Sequence, residues 1–431
     1  MKYKFPEKFL WGAAASGVQT EGITNKVHQN IWEHWYELEP DRFYNRWSNY
    51  IACDSYNRYQ EDVKLMKDIN LNSFRTSIQW SRLIKDFETG AVDEDGKNFY
   101  LNYFKTLKAN KIEPIINLYH FDMPLELYQK YGGFEAKEVV ELYVKYAKVC
   151  FELFGEYVKY WTTFNEPIVP VEFGYFYDAH FPNKVDPKLG VQVAYNTLLA
   201  HSMTVKVFKE GNYPGEIGIT LNLTPVYPRS SHPQDLKAAE ICDVIYNKSY
   251  MDACVKGEIP KLLQEILQEN DLLPKYTKQE LIIIKDNLVD FVGLNYYVPR
   301  RVCAPKYEPN KNSPWMPDWY FDNYQMPGSR NNPHRDHNEI YPKAIYDIAK
   351  QVQNEYGNIK WYLAEIGISI TNEEQFMDDN KMIDDSFRTE LFKEHLVYLH
   401  QAIQEGSNCF GVHQWTFIDN WSWLNSHKRR Y

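Results

Sequence analysis

Cysteine is sparse and unclustered in this chain. The six residues, Cys53, Cys150, Cys242, Cys254, Cys303 and Cys409, form no Cys-x-x-Cys pair and are too scattered to frame a zinc site or a small disulfide scaffold. Buried free thiols are expected, and with them a reducing compartment. A metal site has no better support from histidine, because His334 and His337 stand three apart in a polar stretch without a third ligand nearby. No run of about 18 apolar residues occurs, so no membrane-spanning helix is expected. Lys2, Lys4 and Lys8 ahead of Phe9 to Ala15 only loosely imitate a secretory leader, since Pro6 and Glu7 interrupt it and the apolar stretch is short. The cytoplasm is the expected location. Positive charge is in deficit, with Lys+Arg 48 against Asp+Glu 58 and a net charge of −10, so no general field gathers nucleic acid or anionic membrane. Nucleotide signatures are missing as well. Between Gly90 and Gly96 there are five residues where a phosphate loop has four, and Asn98 stands where Ser or Thr is needed. Neither a Rossmann glycine fingerprint nor a Gly-x-Ser-x-Gly elbow is present.

What is present is a chain of 431 residues, 44% hydrophobic and 25% charged, without a low-complexity tract. That composition fits a folded protein with room for one large barrel or two to three domains of about 100–200 residues. Aromatic residues reach 16%, with Tyr 34, Phe 23 and Trp 12. Such side chains serve as core or as sugar-stacking surfaces, and the count alone favours core. Short β-type runs recur at residues 10–16, 73–80, 113–120, 160–166, 216–224, 289–297, 361–367 and 409–418. Unbroken hydrophobicity at 114–118 and 410–417 suits strands covered on both faces, as in a parallel sheet. Amphipathic stretches intervene: 139–154 has the 3.6 period and stops at Gly155, Thr277 with Glu280 forms a capping box, and 387–403 ends at Gly406. Eightfold strand–helix alternation predicts a (β/α)8 barrel, α/β in class, as a single domain over residues 1–431. The irregular stretch 305–342 is either a loop after strand six on the active-site face or a disordered surface insertion. The last strand is followed by few residues, so the eighth outer helix is expected to be absent, through truncation or because that flank is covered another way.

In a parallel barrel the reactive groups stand at the C-terminal strand ends. Two predicted strand ends carry glutamates, Glu166 and Glu365, each after apolar or small residues and before turn formers. Two carboxyl groups held across one cleft are what glycoside hydrolysis needs, one to protonate the leaving oxygen and one to attack or to activate water. The alternative is that each pairs structurally with an arginine.

The sequence Thr163-Phe164-Asn165-Glu166-Pro167 resembles a signature of glycoside hydrolase family 1, and the likeness extends over nearly the whole chain. Phe9 to Ser16 with Gln19, Glu21 and Gly22 is similar to the family's N-terminal signature; Phe74 to Arg82, Tyr119 to Pro124 and Gly293 to Tyr297 are similar to its motifs on strands two, three and six. The resemblance implies a retaining mechanism with Glu166 as acid/base and Glu365 as nucleophile, the carboxyl groups about 5–5.5 Å apart. It further implies that Asn165 bonds the sugar 2-hydroxyl, that Arg75 and Tyr297 flank Glu365, and that Gln19, His120 and Trp415 hold the sugar. No cofactor is implied. The chain departs from the family at the nucleophile, reading Ala364-Glu365-Ile366-Gly367 in place of Thr-Glu-Asn-Gly.

A second departure concerns substrate. Where β-glucosidases of the family carry a glutamate for the sugar's 4- and 6-hydroxyls, this chain has Ser422, between Trp421 and Trp423. Removing that carboxylate is a precondition for a 6-phosphosugar. Ser422 with Tyr431 then resembles the Ser…Lys-x-Tyr phosphate site of the 6-phospho-β-glycosidases, with Arg429 in the lysine's register and Lys428 beside it. Arginine suits phosphate through bidentate donors. Trp423 is typical of the 6-phospho-β-galactosidases, although both epimers stay open. The expected partner is therefore a phosphorylated small-molecule glycoside, with no nucleic acid or membrane. An unphosphorylated β-glucosidase or β-galactosidase and a catalytically inactive sugar-phosphate-binding barrel are the competing readings.

Overall fold

A computed structural model describes residues 3–335 and 338–431; His337 and Lys2 of the sequence arguments lie outside the described residues. Eight parallel strands close into a barrel: β1 Leu10–Ala14, β2 Ser73–Ser77, β3 Glu113–Asn117, β4 Tyr160–Asn165, β5 Glu216–Asn222, β6 Phe291–Tyr296, β7 Lys360–Ile366 and β8 Cys409–Trp415. Neighbours in sequence are neighbours in the barrel, and β8 closes on β1 through Leu10–Gly411 to Ala14–Trp415. Every predicted strand is found, as is the (β/α)8 class. The predicted strands overrun at their C-terminal ends, because there the chain leaves the ladder to carry side chains across the barrel mouth.

Outer helices follow the strands: α1 Ser55–Asp68, α2 Glu94–Ala109, α3 Lys137–Phe154, α4 Pro187–Glu210, α5 Ser249–Lys256, α6 Ala344–Glu355 and α7 Ser386–Gln404. The inner face of α3, Val139, Val140, Tyr143, Tyr146 and Cys150, is buried, as its periodicity requires. The Thr277 capping box is formed, with the Glu280 amide donating to the Thr277 hydroxyl and the Thr277 amide to the Glu280 carboxylate. Inside the barrel, Ile115, Phe291, Tyr362 and Ala364 form an apolar layer beneath the mouth, so the barrel is filled and not a pore. Among the described residues no α-helix follows β8. Instead Arg429–Arg430 pairs antiparallel with Ile370–Thr371. On the flank between α7 and β1, Phe5 packs against Phe9, Trp11 and His400. The stretch 305–342 takes the first of its two readings. Asp322–Asn323 joins Arg300–Cys303 and Val226–Pro228 in a small sheet beyond the ends of β5 and β6, and Trp315, Phe321 and Ile340 are buried.

Candidate active site

The two strand-end glutamates face a common centre because both strands are irregular just before their tips. On β7 the pairing with β6 shifts between Leu363 and Glu365. Strict alternation would send Glu365 outward after inward Ala364; the irregularity lets both face the barrel axis. On β4 the register shifts between Thr162 and Asn165. Glu166 follows in a left-handed conformation, φ 43°, with its amide donating to the Thr220 carbonyl at 2.8 Å. A non-glycine residue held there is strained, and such strain is concentrated at functional positions.

One hydrogen-bonded chain links the carboxylates. Arg75, fully buried on β2, donates through Nη1 to Glu365 Oε1 and through Nη2 to Asn165 Oδ1 at 2.6 Å. Asn295 Nδ2 donates to Asn165 Oδ1 at 3.2 Å and to Glu166 Oε1 at 2.9 Å. Tyr297 donates its hydroxyl to Glu365 Oε2 at 2.6 Å. The surroundings of the two acids therefore differ. Glu365 receives a cation and a phenol on its two oxygens, an arrangement suited to an anion. For Glu166, burial and then the negative charge of Glu365 push its pKa up to about 8, against the opposing pull of Asn295 and Arg75. A protonated acid beside an ionised carboxylate is the division of labour that glycoside cleavage uses. The family departures at Ala364 and Ile366 do not intrude, because Ala364 joins the interior layer and Ile366 the outer core.

The geometry predicts a pH dependence. Protonated Glu166 is lost as pH rises through its raised pKa, so kcat/KM should fall on an alkaline limb near pH 8. Neutralising the facing charge with Glu365→Gln should move the Glu166 titration downward, observable by 13C-carboxyl NMR. An unmoved titration would show that the two groups do not sense each other.

The remaining expected residues divide into walls and floor. His120 accepts from Asn165 Nδ2 at 3.2 Å through Nε2, and burial followed by the Arg75 charge keeps its pKa well below the usual histidine value. Its ring lies 6.1 Å from those of Trp415 and Trp423, near-parallel to both. Trp423 is further fixed against Trp32 at 4.5 Å and Phe121 at 5.4 Å. Gln19 spends its side chain on the protein: Nε2 donates to the Trp421 carbonyl at 2.8 Å and to Asn420 Oδ1 at 3.3 Å, while Oε1 accepts from Ser16. It thereby ties the loop after β1 to the loop after β8. Glu21, from the same N-terminal motif, is bound to Arg82, Gln79 and Tyr100 away from the carboxylate pair. Asn295 was missed by sequence reasoning. Its signal was its position in the strand-six motif, two residues before Tyr297.

At the terminal segment the expected phosphate ligands have different surroundings. Ser422 is buried, its amide donating to the Ser426 carbonyl at 2.7 Å. Tyr431 donates its amide to Asp419 Oδ1 at 3.1 Å, and its ring lies 6.0 Å from that of Tyr297. Gly367 makes room for this approach, since a β-carbon there would lie 3.4 Å from the Tyr431 ring and 2.3 Å from the Trp415 carbonyl oxygen. Arg429 pairs in register with Thr371 and is half-buried; burial and then the neighbouring Arg335 pull its pKa down. Two guanidinium groups near one another favour an anion between them. Lys428 is not brought to this group. It is exposed in the turn that precedes Arg429–Arg430, with its amide donating to the Asn425 carbonyl at 2.8 Å and its ammonium 5.3 Å from the Tyr44 ring.

The model of the family described as Glycosyl hydrolase family 1 matches residues 1–431. The chain is 50% identical to the 6-phospho-beta-glucosidase GmuD of Bacillus subtilis, an alignment covering 100% of this chain and 92% of that protein. It is 34% identical to a 6-phospho-beta-galactosidase of Staphylococcus haemolyticus, covering 99% of this chain and 93% of the other. Among solved structures, a family 1 β-glucosidase from Thermotoga maritima superposes with a TM-score of 0.90 at 31% identity, covering 100% of this chain and 93% of that one.

Proposed function

Since the chain belongs to glycosyl hydrolase family 1, we propose that it hydrolyses 6-phospho-β-D-glycosides with retention of anomeric configuration. Glu365 attacks the anomeric carbon while Glu166 gives its proton to the leaving oxygen. The bond from anomeric carbon to leaving oxygen breaks as the Glu365 ester forms. Esterification removes the Glu365 charge, which lowers the affinity of Glu166 for a proton. Glu166 then takes a proton from water, whose oxygen displaces Glu365 and frees the sugar. Arg75 and Tyr297 stabilise the carboxylate before attack and after release. Asn165, held by Arg75, His120 and Asn295, is the group we assign to the sugar 2-hydroxyl, where a hydrogen bond strengthens as positive charge develops.

The observation carrying the phosphate reading is the sequence pattern in which Ser422 stands where relatives acting on plain sugars carry a carboxylate and is followed by Arg429 and Tyr431. A carboxylate 4 Å from even one phosphate charge would cost about 4 kcal/mol at an effective dielectric near 20. Serine removes that cost and offers a donor. The name of the 50% identical relative supports the same substrate class, with gluco configuration first. Trp423 and the 34% identical relative favour the galacto epimer as a second substrate. The apolar wall distinguishes the epimers by about 1–3 kcal/mol. Substrate is the partner proposed, and the cytoplasm, where phosphorylated sugars are retained, is the proposed location; no helix among the described residues is long and apolar enough to cross a membrane.

The deciding comparison is kcat/KM for p-nitrophenyl β-glycosides with and without a 6-phosphate, in gluco and galacto forms. Phosphorylated substrates should be preferred by about 10³-fold, and Ser422→Glu should erase most of that preference, the cost estimated above. Equal rates on both sets would return the enzyme to the plain-glycosidase reading. Tight binding without turnover on any of them would support the inactive barrel.

A further inference from the structure

The sequence pattern assigns one arginine, Arg429, to a phosphate group, and the structure brings a second arginine to the same place from elsewhere in the chain. Residues 331–335 belong to the long excursion between β6 and α6, and they fold onto Ser369, just beyond the end of β7. Ser369 is buried, and two side chains of the excursion hold it. Asn332 Nδ2 donates to its carbonyl at 2.9 Å, and Arg335 Nη1 donates to its hydroxyl at 3.1 Å. Asn332 is itself buried, with its amide donating to the Asn338 carbonyl at 2.7 Å. Between them His334 sets its ring edge-on to Phe376 and Phe387 at 5.1 and 5.2 Å. Half-buried Arg335 is therefore fixed near both ends, its amide donating to the Asn332 carbonyl at 3.3 Å.

Ser369 is also where the terminal segment arrives. It precedes Ile370, which pairs antiparallel with Arg430, and Thr371 pairs with Arg429. Ser369 thus lies at the end of the pairing where the chain runs on from Arg430 into Tyr431. The Tyr431 ring is 6.0 Å from that of Tyr297, whose hydroxyl donates to Glu365, so this group stands on the nucleophile's side of the site. The charge of Arg335 is felt at Arg429, where it adds to burial in lowering the pKa. Arg388 of α7 reaches the same region but is committed to structure. It donates to Glu373 and Asp385 and to the carbonyls of Ile368 and Arg430. Among the described residues Arg429 has no carboxylate in ion-pair contact, whereas Arg388 has two.

We infer that Arg335 is a second phosphate-binding cation, so that the 6-phosphate of the substrate is held between one guanidinium from the terminal segment and one from the excursion after β6. The inference rests on the phosphate reading of the site. A phosphate monoester carries about −1.5 to −2 charges at pH 7, more than Arg429 alone neutralises. Ser422 and Tyr431 bring only neutral donors. A second cation completes the balance. Two half-buried guanidinium groups oppose each other until an anion lies between them, and their planar forks suit the oxygens of one phosphate. The bond from Nη1 to Ser369 uses one N–H of the Arg335 fork and sets the direction of the others.

The test is the ratio of kcat/KM for p-nitrophenyl 6-phospho-β-D-glucoside to that for p-nitrophenyl β-D-glucoside. In Arg335→Gln that ratio should fall by about 10–100-fold, as for a lost hydrogen bond to a charged group, through a higher KM for the phosphorylated substrate and not through kcat. Arg335→Lys, which keeps the charge without the fork, should recover part of it. Ser369→Ala removes only the anchor of the guanidinium and should lower the ratio by about 2–10-fold; it serves as the test if Arg335→Gln does not fold. An unchanged ratio in these variants, including equal losses on both substrates, would overturn the inference. The two readings fail separately. A wild-type enzyme without preference for the phosphorylated substrate would remove the phosphate reading and this inference together. A preference that falls in Arg429→Gln but survives in Arg335→Gln would remove the inference alone.

Discussion

Glu365→Gln should abolish turnover on every glycoside tested, a loss of about 10⁴–10⁶-fold, comparable with removal of other attacking groups in covalent catalysis. The amide is nearly isosteric, and the Tyr297 hydroxyl can still donate to its oxygen. What disappears is the anion that Arg75 and Tyr297 are arranged to hold, and with it the ability to form an ester. The loss must appear in kcat with activated and unactivated leaving groups alike, because both need the same bond to the anomeric carbon. Arg75 would be left buried without its counter-charge, so the variant should also lower the thermal unfolding midpoint. A Glu365→Gln enzyme running at wild-type rate would remove the mechanism altogether.

Glu166→Gln should behave differently, and the difference identifies the roles. Loss of the proton donor costs about 10²–10⁴-fold where the leaving oxygen is basic, as in a disaccharide. It should cost much less in the first step with p-nitrophenyl or dinitrophenyl leaving groups, which depart without protonation. The second step then becomes limiting, because no base activates water, and a burst of phenolate should precede slow turnover. Added azide, which needs no base, should restore the rate by attacking the glycosyl-enzyme. The alkaline limb assigned to Glu166 should vanish in this variant. Equal damage to both substrate types, with no burst, would assign Glu166 to positioning instead of proton transfer.

The barrel was legible because its signal is repeated eight times. A strand run such as 113–120 is mostly apolar between its polar ends, and a helix such as α3 shows one buried stripe, so single misjudged boundaries do not change the topology. The catalytic glutamates were legible as chemistry at strand ends, and the family likeness supplied their roles. The means of aiming them was hidden. Strict alternation sends Glu365 the wrong way, and only the irregular pairing between Leu363 and Glu365 turns it inward; that irregularity arises from neighbouring strands far away in sequence. Asn295 was hidden for a related reason, since its two acceptors, Asn165 and Glu166, come from another strand. At the terminal segment the sequence shows three adjacent cations but not their directions. Arg429 enters the short pairing with Ile370–Thr371 while Lys428 stays in the turn before it, beside Tyr44, and that division depends on a partner segment distant in sequence.

The most direct test is to trap the intermediate. Incubation with 2,4-dinitrophenyl 2-deoxy-2-fluoro-6-phospho-β-D-glucoside, followed by proteolysis and mass spectrometry, should find one fluorosugar phosphate per chain, esterified to Glu365. A label on Glu166 or elsewhere, or hydrolysis giving the inverted anomer with no label, would contradict the division of labour between the two carboxylates.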